Sequence, residues 1–275
     1  MKIIECFSEA GTGNPTDNED AYFISDHFAG VIDGVTNTTD QLFTDETPGR
    51  LATNTIKEAI QTLKGDEGID DIIKIINDHF QNLFRDLNMH DDVINKPYMR
   101  PSAAMAIYSK FHRKVWLIGD CQCLIDGQIY QNEVPMDEIF GKVRSIVLKS
   151  ELLKGKTVEK LQSYDIGFEY IKPLIRSQYS FQNNLEHPSL GYSVLNGFPI
   201  PMELIEEVDV PKHTEYLTFA SDGYPKIFAS LEETEDYLHK LLAIDPLCID
   251  ENMSTKGLQI GNISYDDRTY LKVKI

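Results

Sequence analysis

The sequence predicts an α+β domain built from antiparallel sheets. Three observations predict it: short apolar runs are joined by polar turns, helical stripes occur as a pair between groups of strands, and regular β-α-β alternation is missing. No Gly/Ser-rich or Pro-rich linker divides the 275 residues, so we expect a single domain over residues 1–275.

The N-terminal part predicts a strand, a hairpin and two helices. Residues 3–7 are apolar, and residues 21–24 and 28–32 flank a polar turn. Antiparallel pairing would bring Asp20 and Asp33 together at the open end of this hairpin. Thr47 before Pro48 predicts a helix start, and a stronger apolar stripe over residues 69–87 predicts a second helix.

The remaining two thirds of the chain return to strands. Residues 103–108 and 115–118 predict a second hairpin, and Asp126-Gly127 is a strong turn signal for a third. Further predictions are a mostly helical region over residues 143–184, strands at 192–195, 204–210, 216–220 and 270–275, and a helix at 231–242.

Charge and composition exclude several classes of function. A formal net charge of −18 argues against nucleic acid or an anionic membrane as a partner. No apolar run of about 18 residues predicts a transmembrane helix. The four cysteines have neither zinc-site nor thioredoxin spacing, so we expect reduced thiols in a cytoplasmic protein.

Five acidic clusters are the most informative feature of the chain, and most of them end an apolar run. A carboxylate at the edge of a core is unfavourable unless a cation compensates it. Oxygen-only ligands favour Mg²⁺ or Mn²⁺ over Zn²⁺. Any one cluster alone could be a plain turn, a solvated loop or a charged strand edge. The clusters are Asn18-Glu19-Asp20, Asp33-Gly34, Gly119-Asp120, Ser221-Asp222-Gly223 and Asp266-Asp267.

In this order, the five clusters resemble the motifs of the type 2C metal-dependent protein phosphatases, and the chain resembles a divergent bacterial-like member. The matching segments are N-E-D-A at residues 18–21, G-V-I-D-G at 30–34, G-D-C at 119–121 where the family usually has G-D-S, A-S-D-G at 220–223 and D-D-R-T at 266–269.

The resemblance implies two antiparallel sheets packed face to face between helix pairs, a four-layer αββα sandwich. It implies a metal-dependent phosphomonoester hydrolase, most specifically a serine/threonine protein phosphatase. In such an enzyme a water molecule would bridge two Mg²⁺ or Mn²⁺ ions. Asp33 would bridge the ions, Asp222 would be the other catalytic aspartate, and Asp120 would help to hold a weaker third ion. Further metal ligands would be Glu19, Asp20, Gly34 and Asp266, with Asp266 and Asp267 both open as the last one.

Two positions depart from the family pattern. The phosphate-binding Arg that many members carry before N-E-D is Pro15 here, and Val35 stands where many eukaryotic members have a His. Arg50, Arg100 and Arg268 are alternative phosphate-binding candidates.

These departures leave two hypotheses open. The first is a hydrolase acting on a phosphorylated protein or a small phosphomonoester, with a substrate-recognising flap at about residues 143–184. The second is a catalytically weak or inactive relative that binds a partner.

Overall fold

The computed structural model describes residues 1–36 and 44–275, and within them ten strands form two five-stranded sheets. The strands are β1 (Lys2–Glu9), β2 (Ala21–Ile24), β3 (Phe28–Gly34), β4 (Ala103–Ser109), β5 (Lys114–Ile118), β6 (Gln122–Ile125), β7 (Gln128–Gln131), β8 (Glu206–Asp209), β9 (Tyr216–Ala220) and β10 (Arg268–Lys274).

Seven α-helices lie in the same described ranges. The predicted start of the first is confirmed, because the Thr47 hydroxyl accepts a hydrogen bond from the Arg50 amide directly before Pro48. The helices are α1 (Pro48–Gln61), α2 (Ile69–Asp86), α3 (His90–Asn95), α4 (Pro135–Leu153), α5 (Val158–Ser163), α6 (Ile166–Gln178) and α7 (Leu231–Ile244).

All strand pairs are antiparallel. One sheet has the order β2-β3-β4-β5-β8 and is called sheet I; the other has the order β1-β10-β9-β6-β7 and is called sheet II. The three predicted hairpins are β2-β3, β4-β5 and β6-β7. Asp126 and Gly127 both have positive φ in the last turn, as a two-residue hairpin loop requires.

Three apolar cores define the layers. The inner faces of both sheets share one core, which includes Val31 and Leu117 of sheet I and Phe219 and Leu271 of sheet II. The outer face of sheet I packs against α1 and α2. The outer face of sheet II packs against α7 and the segment that follows it. The predicted fold of two antiparallel sheets between helices is therefore confirmed.

Two predicted strands differ from the structure. Residues 192–195 form only isolated bridges, and the strand predicted at 204–210 shortens to Glu206–Asp209. The side-chain amide of Asn183 accepts from the Val194 amide and donates to the Val194 carbonyl. Because this side chain satisfies the backbone groups that a neighbouring strand would otherwise bind, the apolar run at 192–195 remains a loop.

The region predicted to be helical at 143–184 contains most of α4, all of α5 and α6, and a 3-10 turn at Tyr179–Phe181. Helix α4 begins earlier than predicted, at Pro135, and packs against α6 through Phe140 and Ile171. Within residues 1–36 and 44–275, no helix is both long enough and apolar enough to cross a bilayer.

Candidate metal centre

The acidic clusters meet where strand ends of the two sheets come together. Asp33 lies near the end of β3, Asp120 and Asp222 follow β5 and β9, and Asp266 precedes β10. These four aspartates line one pocket with a volume of about 500 Å³. Four of the five acidic clusters therefore each place an aspartate in this pocket.

Asp33, Asp120 and Asp222 form the tightest group, which we call the aspartate triad. One carboxylate oxygen from each lies within 4.8 Å of the others. The Asp222 amide donates a hydrogen bond of 3.2 Å to Asp33 Oδ2, and this bond fixes the orientation of the Asp33 carboxylate relative to the loop after β9.

The triad carries strong mutual repulsion. Burial, and then the charges of Asp20 and Asp120, raise the pKa of Asp33 well above its usual range. Burial and the neighbouring Asp222 raise the pKa of Asp120, and burial and Asp33 raise that of Asp222. Carboxylates held together against this repulsion form a site that favours a bound cation.

Close backbone packing builds the wall beside the triad. A Cβ atom on Gly34 would lie 2.5 Å from the Glu19 carbonyl oxygen, so only glycine allows this approach. The same Glu19 carbonyl accepts a 2.6 Å hydrogen bond from the Thr53 hydroxyl of α1. Helix α1 thereby fixes the segment that carries Glu19 and Asp20.

Asp267 is a structural residue. Its Oδ1 accepts from the Gly11 amide at 2.9 Å and its Oδ2 accepts from the Glu19 amide at 2.7 Å. Asp266, in contrast, lines the pocket. Between the two aspartates that the sequence left open, the structure directs Asp266 to the pocket and Asp267 to the backbone.

Glu19 and Asp20 are buried beside the triad, and neither lines the pocket. Glu19 Oε2 accepts a 2.9 Å hydrogen bond from the Thr36 hydroxyl, and burial raises the pKa of Glu19. Asp20 Oδ2 is buried without a hydrogen-bond partner among the described atoms. Burial and the surrounding aspartates raise the pKa of Asp20 well above its usual range.

Lys256 is a site residue that the sequence reasoning missed. Its Nζ lies 2.7 Å from both carboxylate oxygens of Asp266 and 3.0 Å from Thr36 Oγ1. Burial opposes its charge, but the carboxylates of Asp266 and Asp222 outweigh burial and raise its pKa above the usual value. No motif marks Lys256, which lies in the loop between α7 and β10.

Asp137 was missed as well. It lies in the first turn of α4 and lines the pocket, and burial raises its pKa to about 6. Acidic residues are common in first helical turns because they complement the helix dipole, so its position gave no separate signal.

The three candidate arginines are engaged elsewhere, and none lines the pocket. The Arg50 guanidinium donates to the carbonyls of Pro15 and Thr16. Arg100 donates to the Val93 carbonyl and lies over the Phe198 ring. Arg268 is buried and paired with Glu9 and Glu235.

Comparison with solved structures finds similarity over the whole chain. A serine/threonine phosphatase of Mycobacterium tuberculosis, PstP/Ppp, is 14% identical, with 98% of this chain and 97% of that chain covered and a TM-score of 0.43. The phosphatase Stp1 of Staphylococcus aureus is 13% identical, with 100% and 96% covered and a TM-score of 0.48.

A third similar structure is the catalytic domain of the serine/threonine phosphatase PstP in complex with two manganese ions. It is 13% identical, with 98% of this chain and 96% of that chain covered and a TM-score of 0.45. No protein-family model matches the chain, and no curated protein matches it.

Proposed function

We propose that this chain is a divalent-metal-dependent phosphomonoester hydrolase that acts on phosphoserine or phosphothreonine in proteins. The observation that carries the proposal is the aspartate triad, three mutually repelling carboxylates in the wall of an open pocket. The resemblance of the five ordered motifs to type 2C phosphatases supplies the reaction class.

The triad fits a hard divalent ion. Oxygen ligands lie at about 2.0–2.1 Å from Mg²⁺ and about 2.3–2.6 Å from Ca²⁺, so two ligands of one ion are at most about 4–5 Å apart. The triad oxygens lie within 4.8 Å of one another, so small side-chain movements bring them to such a spacing. The unpartnered Asp20 Oδ2 beside the triad is a further buried oxygen in need of a positive neighbour or a proton donor.

Hydrolysis of a phosphomonoester is extremely slow without a catalyst. A divalent ion supplies Lewis acidity, which neutralises charge on phosphoryl oxygens and makes water a better nucleophile. The residues of the chain hold and orient the ligands: the Asp222 amide fixes the Asp33 carboxylate, and Thr53 and Asp267 fix the Glu19 segment. Asp33 and Asp222 are the proposed catalytic aspartates, since they would hold the ion next to the reacting phosphoryl group.

The helical region predicted as a flap supports a protein substrate. Five of its residues, Phe168, Ile175, Gln178, Tyr179 and Gln182, line the same pocket as the aspartates. Because no arginine side chain lines the pocket within the described part of the chain, affinity must come from the ion and from contacts to the rest of the substrate. We therefore propose that residues 143–184 recognise the polypeptide around the phosphorylated side chain.

Hydrolysis assays test the proposal. p-Nitrophenyl phosphate and a panel of phosphothreonine peptides would be assayed with Mn²⁺ and with excess chelator. Asp33→Asn should abolish the Mn²⁺-dependent rate, whereas the control Asp236→Asn, on the exposed face of α7, should retain it. Absence of hydrolysis on every substrate, with Mn²⁺ bound, would contradict the proposal and favour the partner-binding hypothesis.

A further inference from the structure

The negative charge beside the triad is balanced by the protein itself. Lys256 and Asp266 form a close ion pair in which the lysine side chain is 29% exposed and the aspartate side chain 17% exposed. Lys256 is the only basic side chain that lines the pocket among the described residues. Its ammonium group is thus a fixed positive charge inside the acidic centre.

The ammonium group is directed at acidic and hydroxyl oxygens of the protein. Three acceptor oxygens lie within 3.0 Å of Nζ: both oxygens of Asp266 and the hydroxyl of Thr36. These contacts indicate that Lys256 compensates the charge of Asp266.

Thr36 extends the compensation to a second carboxylate. Its hydroxyl accepts from Lys256 and donates to Glu19 Oε2 at 2.9 Å. Asp266 and Glu19, two residues that the resemblance implies as metal ligands, are therefore both connected to one ammonium group. A metal ion at Asp266 would have to displace Lys256 or lie directly beside its positive charge.

The triad has no direct ion pair with this lysine, although the charge of Asp222 also acts on Lys256. No described ion pair involves Asp33, Asp120 or Asp222, whereas Asp266 has one at 2.7 Å. The two-ion arrangement that the resemblance implies therefore fits one half of the acidic cluster, the triad, and not the half around Asp266.

We propose that the ammonium group of Lys256 replaces one of the two divalent ions, so that the centre binds a single ion through Asp33, Asp120 and Asp222. This inference rests on the proposed function, because it assumes that the triad is a metal site. It changes the expected number of ions and assigns Lys256 a role that no motif marks.

Counting bound ions tests the inference. Equilibrium dialysis against Mn²⁺, with metal analysis of the retained protein, should give one ion per chain for the wild type and two for Lys256→Met. The matched control is Lys149→Met, which removes a lysine with the same 2.7 Å distance to an aspartate, Asp250, away from the pocket. This control should retain one ion.

The outcomes separate the two proposals. Two ions in the wild type would overturn the inference about Lys256 and leave the proposed function intact. One ion in both the wild type and Lys256→Met would also overturn it, because the lysine would then not be the group that prevents a second ion from binding. No ion in the wild type would contradict both proposals. The wild-type count is decisive even if Lys256→Met fails to fold.

Discussion

Two halves of the acidic cluster differ in how their charge is balanced. In the triad, Asp33, Asp120 and Asp222 face one another within 4.8 Å. In the other half, Asp266 pairs with Lys256, and Thr36 connects that lysine to Glu19. The same residue type at the end of a strand can therefore serve as a candidate metal ligand in one place and as an ion-pair partner a short distance away.

The comparison also shows why a motif does not define a ligand. Asp266 and Asp267 are adjacent, yet one accepts from a lysine and the other from two backbone amides. Which charges reach an aspartate depends on loops that pack against it, and those loops are remote in sequence.

The largest expected effect concerns catalysis by the triad. Each of Asp33→Asn, Asp120→Asn and Asp222→Asn should lower kcat/KM by at least about 100-fold, since loss of groups that merely support metal ligands already costs 10–100-fold. The measurement is Mn²⁺-dependent hydrolysis of a phosphothreonine peptide. A much smaller loss for Asp120→Asn alone would show that the triad does not act as a unit.

The second effect is on stability, and its sign should differ between the halves. In metal-free protein, Asp33→Asn removes repulsion and should stabilise the fold by on the order of 1 kcal/mol. Asp266→Asn leaves Lys256 without its closest partner and should destabilise the fold by about 1–2 kcal/mol, less than a fully buried pair because the site is partly exposed. Urea unfolding with chelator present measures the change in the free energy of unfolding for each variant. Changes of the same sign in both variants would contradict the proposed difference between the two halves.

The third effect is the pH dependence of stability. The triad carboxyls, and Asp137 with its pKa of about 6, bind protons more tightly in the folded chain than in the unfolded chain, where aspartate titrates near 3.9. For metal-free protein, the free energy of unfolding should therefore fall as the pH rises from about 4 to above 6. Excess Mn²⁺ should reverse this loss near neutral pH, because it binds only the folded form.

Unfolding curves at about pH 5 and about pH 7.5, with and without Mn²⁺, would show this effect. Asp33→Asn serves as the comparison, since it should show a shallower fall. If the metal-free wild type were equally stable at both pH values, the electrostatic repulsion ascribed to the triad would be contradicted.

The smallest effect concerns the arginines. Arg50→Ala should change KM for p-nitrophenyl phosphate by less than about twofold, because its guanidinium donates to the carbonyls of Pro15 and Thr16. The wild-type KM should itself exceed about 1 mM, the upper end of the usual range, as no arginine in the described chain reaches the pocket. A sub-millimolar KM that Arg50→Ala raises tenfold would show that Arg50 binds phosphate.

Much of the fold was predictable from local patterns. The hairpins β2-β3, β4-β5 and β6-β7 and helices α1, α2 and α7 follow from apolar periodicity and turn residues. The strand predicted from the apolar run at 192–195 was wrong, because the side chain of Asn183 forms hydrogen bonds with the backbone amide and carbonyl of Val194. That contact joins residues that no periodic pattern relates.

The candidate site was predictable in part. The convergence of Asp33, Asp120, Asp222 and Asp266 on one pocket follows from their positions at strand ends. Lys256 was not predictable, since it lies in an irregular loop and acquires its role only through tertiary packing against Asp266 and Thr36. The position of Asp137 in the pocket was not predictable for a related reason, because α4 lies outside the two sheets and reaches the pocket only through tertiary packing.

Calorimetric titration of Mn²⁺ into Asp33→Asn and Asp266→Asn, side by side with the wild type, tests the central claim most directly. The account predicts that the triad binds the metal and that Asp266 serves only as the ion-pair partner of Lys256. Asp33→Asn should therefore lose Mn²⁺ binding, and Asp266→Asn should bind one ion with nearly wild-type affinity. Retained binding in Asp33→Asn, or equal loss in both variants, would contradict the division of the acidic cluster into these two halves.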